Sequence, residues 1–265
     1  MENGGMRMNE WNASQYLMFG DERTQPSIDL IGRIDHVDPR RVLDIGCGPG
    51  NGTERLHLRY PDADVYGIDS SIAMIEAARQ AYPRLRFDLY DASKDLPSLD
   101  HGYDIVFSNA VIQWIPDHGK LLGEMFQLLN DGGTLAVQMP INEGSPAFRV
   151  INEVIRDPKW GFTEKEFSQT NKLPVGDYVD ILSGLTDVFS VWETSYYHRM
   201  KEHGEILEWV KGTKLLPFLK ALEADEAKKQ AFQREILEGI KGQYSRQVNG
   251  EIMFRFKRLF FTAKK

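Results

Sequence analysis

The sequence predicts an α/β fold built on a mainly parallel sheet with helices on both faces. Three observations carry that prediction. Short β-rich runs alternate with stretches of helical periodicity through the first half of the chain. The first of these runs, Val42-Leu43-Asp44-Ile45, feeds into the glycine-rich turn Gly46-Cys47-Gly48-Pro49-Gly50 and then into a helical stretch. A chain of 265 residues, 42% hydrophobic and 27% charged, is long enough for one large core and too short for two full-size domains with a linker.

The elements follow in order. After a polar lead, Ile28, Ile31 and Ile34 lie at helical spacing and mark a helix over 27–34. Runs over 41–45, 64–68, 85–89, 104–108 and 134–139 read as strands, with helical periodicity over 53–59, 72–81 and 121–129 between them. The last helix runs into Asn130-Asp131-Gly132-Gly133, which has the composition of a helix C-cap and turn. Beyond Pro140 the pattern changes. Residues 147–156 and 177–185 read as helices and 188–197 as a strand. Residues 205–241 read as several helices broken at Gly212 and Pro217, and 252–261, with Phe254, Phe256 and Phe260, as a final strand. No repeat, low-complexity tract or Pro/Ser-rich linker separates the halves, so a helical cap inserted between the last two strands of the sheet is expected. The expected domains are a flexible lead over 1–10 and one domain over 11–265. That domain comprises a cofactor-binding core over 27–140, a largely helical substrate cap with one strand over 141–250, and the last strand over 251–265.

Composition narrows the partners. Apolar runs are a few residues long, against the ~18 needed to cross a bilayer, so no membrane partner is expected. The polar start lacks a cationic stretch followed by an apolar one, and the single cysteine, Cys47, excludes an internal disulfide; both fit a reducing cytoplasm. A net charge of −7 argues against nucleic acid as the main partner. The charge is unevenly spread: residues 1–140 hold 12 basic and 21 acidic side chains, and residues 141–265 hold 20 and 18. A locally basic second half suits an anionic small-molecule substrate.

The glycine turn is a ligand site in outline, because glycine lets backbone approach closely and a helix N-terminus presents free N–H groups. The dinucleotide fingerprint fails at Asn51, and no Lys-Ser/Thr pair is present to cradle phosphates. The pattern here is D-x-G-x-G-x-G from Asp44, whose acid repels phosphate and attracts the cationic end of an amino acid or a sulfonium. Asp69 ends the second strand roughly 20 residues past the glycines, where a carboxylate accepts from ribose hydroxyls. Asp91 ends the third strand and can take the exocyclic amine of adenine, and Met74, one helical turn after Asp69, can cover an adenine face. Taken singly, each has a plain alternative as a turn, a helix cap or a core residue. Together, at three consecutive strand ends, they point to a nucleoside-bearing ligand.

Residues 42–133, including Ser108-Asn109-Ala110-Val111-Ile112-Gln113-Trp114 and the turn Asp131-Gly132-Gly133, resemble the class I S-adenosylmethionine-dependent methyltransferases. Further stretches are similar to the trans-aconitate 2-methyltransferases: Trp11-Asn12-Ala13-Ser14-Gln15-Tyr16, Phe19-Gly20-Asp21-Glu22-Arg23-Thr24, Thr194-Ser195-Tyr196-Tyr197-His198, Glu208-Trp209-Val210-Lys211-Gly212-Thr213 and Arg255-Phe256-Lys257-Arg258-Leu259-Phe260. The similarity covers nearly the whole chain from about Trp11; the clearest departures are the extra lead and a Lys-rich helix around Lys228 and Lys229, outside every motif. The resemblance implies a Rossmann-like, seven-stranded sheet with an antiparallel last strand, and S-adenosylmethionine as cofactor. It places the cofactor contacts at Asp44, Gly46, Gly48, Gly50, Asp69, Ser70, Met74, Asp91, Ala92, Asn109 and Gln113.

The implied reaction is O-methylation of a carboxylate of a small polycarboxylic acid, trans-aconitate by resemblance. Such a carboxylate is already ionised at neutral pH, so no general base is required, and the sequence offers no convincing one. His198 and His203, five apart, fit no pair of metal ligands. Candidate substrate contacts are Tyr16, Arg23, Tyr196, Tyr197, His198, Trp209, Lys211 and Arg255. Each has a structural alternative, and of the adjacent Tyr196 and Tyr197 only one can face a pocket. Arg255 and Lys257 share one strand face, while Phe254, Phe256 and Arg258 share the other. Two alternatives stand beside this reading. One is a malonyl-acyl carrier protein O-methyltransferase, with Lys228, Lys229, Lys257 and Arg258 as a docking patch. The other is a donor-binding protein without catalysis. A monomer is expected.

Overall fold

Strand β1 (Arg41–Ile45) is apolar on both sides, with Val42, Leu43 and Ile45 at 0% exposure, and a strand of that kind belongs inside a sheet covered on both faces. The computed structural model, which describes residues 20–167 and 171–265, places it there. The other strands are β2 (Asp64–Asp69), β3 (Arg86–Leu89), β4 (Tyr103–Asn109), β5 (Leu129–Pro140), β6 (Phe189–Met200) and β7 (Ile252–Lys264). They form one seven-stranded sheet in the order β3-β2-β1-β4-β5-β7-β6. β1 pairs in parallel with β2 and β4, β2 with β3, and β4 with β5. β7 runs antiparallel to its neighbours. Against β5, Lys265 exchanges backbone bonds with Gly132 and Gly133, whereas Ile141 bonds Lys257. Against β6, Lys264 bonds Val188, whereas Glu251 pairs with Arg199. Chain order reverses between β1 and β4, and ligands of such sheets bind outside the carboxyl ends at that switch.

The helices are α1 (Gly20–Ile31), α2 (Asn51–Arg59), α3 (Ile72–Ala81), α4 (His118–Gln127), α5 (Pro146–Ile155), α6 (Glu164–Phe167), α7 (Val175–Ser183), α8 (His203–Lys211), α9 (Leu216–Ala221) and α10 (Glu226–Gln243). Their starts follow local chemistry. Ser71, Asp117, Ser145 and Asp225 each accept a backbone N–H from the first turn of α3, α4, α5 and α10.

The chain forms two compact units. One comprises residues up to Met139, with Asn171–Glu193 and Leu259–Lys265. In it, the short turn Ile112–Trp114 after β4 is fixed by a buried histidine. His118 donates from Nε2 to the Ile112 carbonyl (2.8 Å) and accepts at Nδ1 from the Tyr178 hydroxyl (2.7 Å), while Asn171 N–H donates to the Gln113 carbonyl (2.9 Å). Burial lowers the His118 pKa, which favours the neutral ring that this pattern requires.

The other unit comprises Pro140–Thr170 and Thr194–Arg258. Here α10 packs on α5 and α8. Its core is aromatic: Trp209 lies 4.5 Å from His198 and 5.4 Å from Phe256 by ring centroid, and Phe254 lies 5.8 Å from Phe256. Gly239 lets α10 approach α5, since a Cβ there would collide with Cγ1 of Val150.

Several boundaries differ from the sequence reading. The first helix runs over Gly20–Ile31, with Pro26 inside it, and not over 27–34. Arg33 and Ile34 bond three residues back, to Leu30 and Ile31, so the apolar spacing continued past the point where the α-helix tightens and stops. Residues 130–133 are not a cap and turn but the start of β5, their backbone groups occupied by Lys265 and their register offset by an irregularity between Tyr103 and Ile105. Pro217 opens α9 in its first turn, where a missing N–H costs nothing, and does not break a helix; the last break falls at residues 222–225.

Gly239→Ala, a change that favours an isolated helix by about 1 kcal/mol, is expected here to destabilise the protein by about 1–3 kcal/mol in denaturant unfolding, because β-branched Val150 cannot rotate away. Adding Val150→Ala restores most of that loss.

Candidate active site

The site grows from the end of β1. Gly46 and Cys47 donate their N–H groups to the Ile68 carbonyl at 2.8 and 2.9 Å, fixing the loop to the end of β2. Gly46, Gly48 and Gly50 have φ of 73°, 54° and 90°, in the left-handed region where side chains are strained. At Gly46 a Cβ would also collide with Val111, which follows β4. At Gly48 a Cβ would meet nothing within 4 Å, so there the loop faces open space. Loop and strand end thus leave room for a ligand beside bare backbone.

Asp69 ties the loop to the next strand. Its Oδ2 accepts from Gly48 N–H at 3.0 Å and its Oδ1 from Ser71 N–H at 2.8 Å, the latter at the start of α3. Burial raises its pKa, opposed by hydrogen bonds from Ser71, Gly48 and Ser70. Asp44 lies deeper, 2% exposed, with Oδ2 accepting from Thr53 Oγ1 at 2.7 Å. Its carboxyl is pushed up to about 7, chiefly by burial, with Thr53 working the other way and Asp69 adding repulsion. A carboxyl held so far above its usual range gains from a nearby cation. Cys47 is 6% exposed in a cluster with Ile75, Ala78 and Phe87, and burial pushes its thiol up, so it is a core residue and not a nucleophile.

The end of β4 is strained and polar. Ala110 takes φ 60°, its N–H donates to the Gln138 carbonyl (2.8 Å), and its carbonyl accepts from Gln113 Nε2 (2.7 Å). Oδ1 of Asn109 and Oε1 of Gln113 are buried without a hydrogen-bond partner. The structure therefore brings Asp44, Gly46, Gly48, Gly50, Asp69 and Ser70 together, with Asn109 and Gln113 after the neighbouring strand. Met74, 5% exposed, lies in the first turn of α3. Asp91 follows β3 by two residues and is not its last residue; its carboxylate accepts from Ser93 N–H and Oγ (3.0 and 2.6 Å) and meets Lys94 at 3.3 Å, with Ala92 buried beside it. These residues, with open space at Gly48, unpartnered oxygens at Asn109 and Gln113, and acids at two strand ends, fit a ligand that carries an amino acid cation and a ribose.

The second unit places the substrate candidates by strand alternation. Tyr196 and His198 share one face of β6, with parallel rings at 6.5 Å. Tyr197, 59% exposed, lies on the opposite face with Arg199, which is bound to Glu251. Trp209 is 2% exposed and belongs to the aromatic core. Lys211 is paired with Glu208 at 2.7 Å. One cation of β7, Arg255, is exposed, on the face away from Phe254 and Phe256. The inward one is Arg258, 6% exposed, its guanidinium 4.7 Å from the Phe256 ring centre. Alternation with Phe254 and Phe256 was the signal that could have found it. Burial first and the Arg258 charge second lower the His198 pKa to about 4, so His198 is neutral at physiological pH. Tyr16 and the side chain of Arg23 lie outside the described residues. Among the described residues, no group of three His, Cys, Asp or Glu is placed to hold a metal, and no helix is long and apolar enough to cross a membrane.

Known proteins match this arrangement. Residues 36–197 match the family described as a methyltransferase domain. The trans-aconitate 2-methyltransferase of Methylobacterium radiotolerans is 38% identical over 262 residues, 97% of this chain and 99% of that one. The enzyme of the same name from Rhodopseudomonas palustris is 42% identical over 260 residues, 97% of this chain and 100% of its own. Among solved structures, Haemonchus contortus phosphoethanolamine N-methyltransferase 2 in complex with S-adenosyl-L-methionine is similar in fold at a TM-score of 0.58, 19% identity, 95% of this chain and 56% of that one. The YcgJ protein of Bacillus subtilis is similar at a TM-score of 0.58, 18% identity, and 91% and 99% coverage.

Because Asp44 ionises near neutrality, affinity for S-adenosylmethionine, measured by calorimetry, is expected to rise about tenfold between pH 5.5 and 7 and to lose that dependence in Asp44→Asn. The sign follows from the raised pKa: an ammonium beside Asp44 would be attracted only by the ionised form, whose population grows as pH approaches 7 from below. Asp69→Ala is expected to weaken the same ligand by about 1–3 kcal/mol, the cost of losing a charged acceptor and the brace it gives Gly48 and Ser71. A glycine loop braced by an acid from the next strand, a family match across most of the chain and near full-length relatives lead to one conclusion: the chain belongs to the S-adenosylmethionine-dependent methyltransferases, alongside the trans-aconitate 2-methyltransferases.

Proposed function

We propose that the protein methylates a carboxylate oxygen of a small polycarboxylic acid, trans-aconitate by its relatives, with S-adenosylmethionine as donor. The observation that carries the acceptor is the likeness to proteins named trans-aconitate 2-methyltransferase, 37–42% identical over 97% of the chain. The side chains of the second unit supply chemistry of the right sign. Arg258 is a buried cation able to take a carboxylate in a bidentate grip, and Tyr196 and neutral His198 offer further donors.

When bound, S-adenosylmethionine supplies a methyl group activated by a sulfonium: the acceptor oxygen takes the methyl, the electrons of the C–S bond stay on sulfur, and no proton is released. The residues therefore need to align and dry the reactants, not to abstract a proton. Asp69 accepts from ribose hydroxyls, and Asp44 balances the ammonium end through the loop it precedes. Of the glycine loop, the backbone at Gly48 faces open space and would lie against the ligand. The left-handed turn at Ala110 sets Asn109 and Gln113 beside it. Arg258 holds a carboxylate by charge, and the acid stays ionised with no base.

The carrier-protein alternative loses support on one point. Arg258 is 6% exposed and cannot form part of a docking patch, and Lys229 is engaged with Glu226 at 3.5 Å. We further propose a monomer acting in the cytoplasm on a free small acid.

Arg258→Gln is expected to raise the acceptor KM by about 10–100-fold and to leave donor affinity unchanged, as fits loss of a charged hydrogen bond. Arg255→Gln, on the exposed face, changes neither. Steady-state kinetics over a panel of di- and tricarboxylates, with malonyl carrier protein included, tests both and the acceptor itself. Turnover of the carrier alone would reverse the proposal.

A further inference from the structure

Strands β4 and β5 end side by side on carboxamides. Asn109 closes β4, and its register partner is Gln138, so the two side chains leave the sheet on one face. Phe107, two residues back on that face, is the partner of Asp44. Gln138 is at 0% exposure, yet neither its Nε2 nor its Oε1 has a hydrogen-bond partner. Its neighbours Leu135, Ala136, Val137 and Met139 are apolar and equally buried. In such a strand a glutamine with both ends unpaired costs folding free energy that an apolar side chain of the same length would not. The sheet does not need it, and its position at the carboxyl end of β5, one strand from the switch, is where a ligand of this fold lies.

We infer that Gln138 binds the methyl-accepting acid, its Nε2 donating to the carboxylate that is methylated. The inference deepens the acceptor reading above and rests on it. A carboxylate oxygen accepts an N–H of a carboxamide, which gives the orphaned donor a partner. A neutral donor has a further property: it orients the oxygen without cancelling its charge, as a guanidinium or ammonium would, so the reacting atom keeps its nucleophilicity. Asn109 places a second carboxamide at the same level of the sheet, and Ala110 joins the two residues by accepting from Gln113 while donating to the Gln138 carbonyl. The polar group is thus built into the strand end and not left over from packing.

The test compares Gln138→Met, which keeps length and removes both polar ends, with Gln138→Glu, which keeps shape and adds a like charge. The full chain is used, with S-adenosylmethionine and trans-aconitate, reading kcat and KM, donor affinity by calorimetry and Tm by scanning calorimetry. Gln138→Met is expected to raise the acceptor KM about 10–100-fold, to leave donor affinity unchanged, and to hold or raise Tm. Gln138→Glu raises KM further. An unchanged acceptor KM in folded Gln138→Met overturns the inference, and so does a loss confined to donor affinity. If the wild-type chain turns over no carboxylic acid, the acceptor reading fails and the inference with it, a result distinguished from the others because it appears before any substitution.

Discussion

The Asp69 carboxylate, shared between the Gly48 and Ser71 N–H groups, is the interaction on which the rest of the site depends. One oxygen holds Gly48, whose left-handed backbone strains any side chain, and the other holds the start of α3. With both oxygens committed to backbone, the loop after β1 and the end of β2 move as one piece, and a ligand meets a surface already shaped. The same bonds have an electrostatic effect: they oppose the rise in Asp69 pKa that burial causes. Asp44, with Thr53 as its hydrogen-bond donor, lacks that network and sits near its ionisation midpoint at neutral pH. Two acids at neighbouring strand ends are thereby given different tasks by the number of N–H groups around them.

The parts of this arrangement visible in the sequence were those where one local rule governs. After Arg41, the β1 run is apolar at every position but Asp44, which suits an interior strand, and three closely spaced glycines follow where the backbone turns left-handed. The β3 end was legible to within two residues of Asp91, and Ile72–Ala81 was found at its actual bounds because Ser71 caps it. What local rules could not reach was set by distant partners. Residues 130–133 read as a turn because their strand partner, the chain end at Lys265, is remote in sequence. Three isoleucines place the first helix over 27–34, although it begins at Gly20, in a polar stretch that no apolar spacing marks. The turn at Ile112–Trp114 depends on His118 and Tyr178, a pair that no spacing reveals.

In the second unit the governing fact is strand alternation. β6 alternates Tyr196, His198 and Met200 inward with Tyr197 and Arg199 outward, and β7 alternates Phe254, Phe256 and Arg258 inward with Arg255 outward. A motif match alone does not say which of its residues face inward; the pleat does, turning Arg258 in and Arg255 out. The pleat also explains the histidine: on the inward face it is buried beside Trp209, its ring tilted to the indole, under the field of Arg258, and the neutral ring follows from burial and charge together. Sequence likeness names a neighbourhood, and the period of two decides which side chain lives in it.

The burial of Cys47 has a practical meaning. It is the chain's single thiol, packed against Ile75, Ala78 and Phe87, with its ionisation suppressed. Alkylating reagents and mild oxidants act on thiolates at the surface, so they find no target on the native protein. A cysteine introduced anywhere on the exterior would react alone, which makes the natural chain its own background for attaching a single spectroscopic label without first removing a residue from the core.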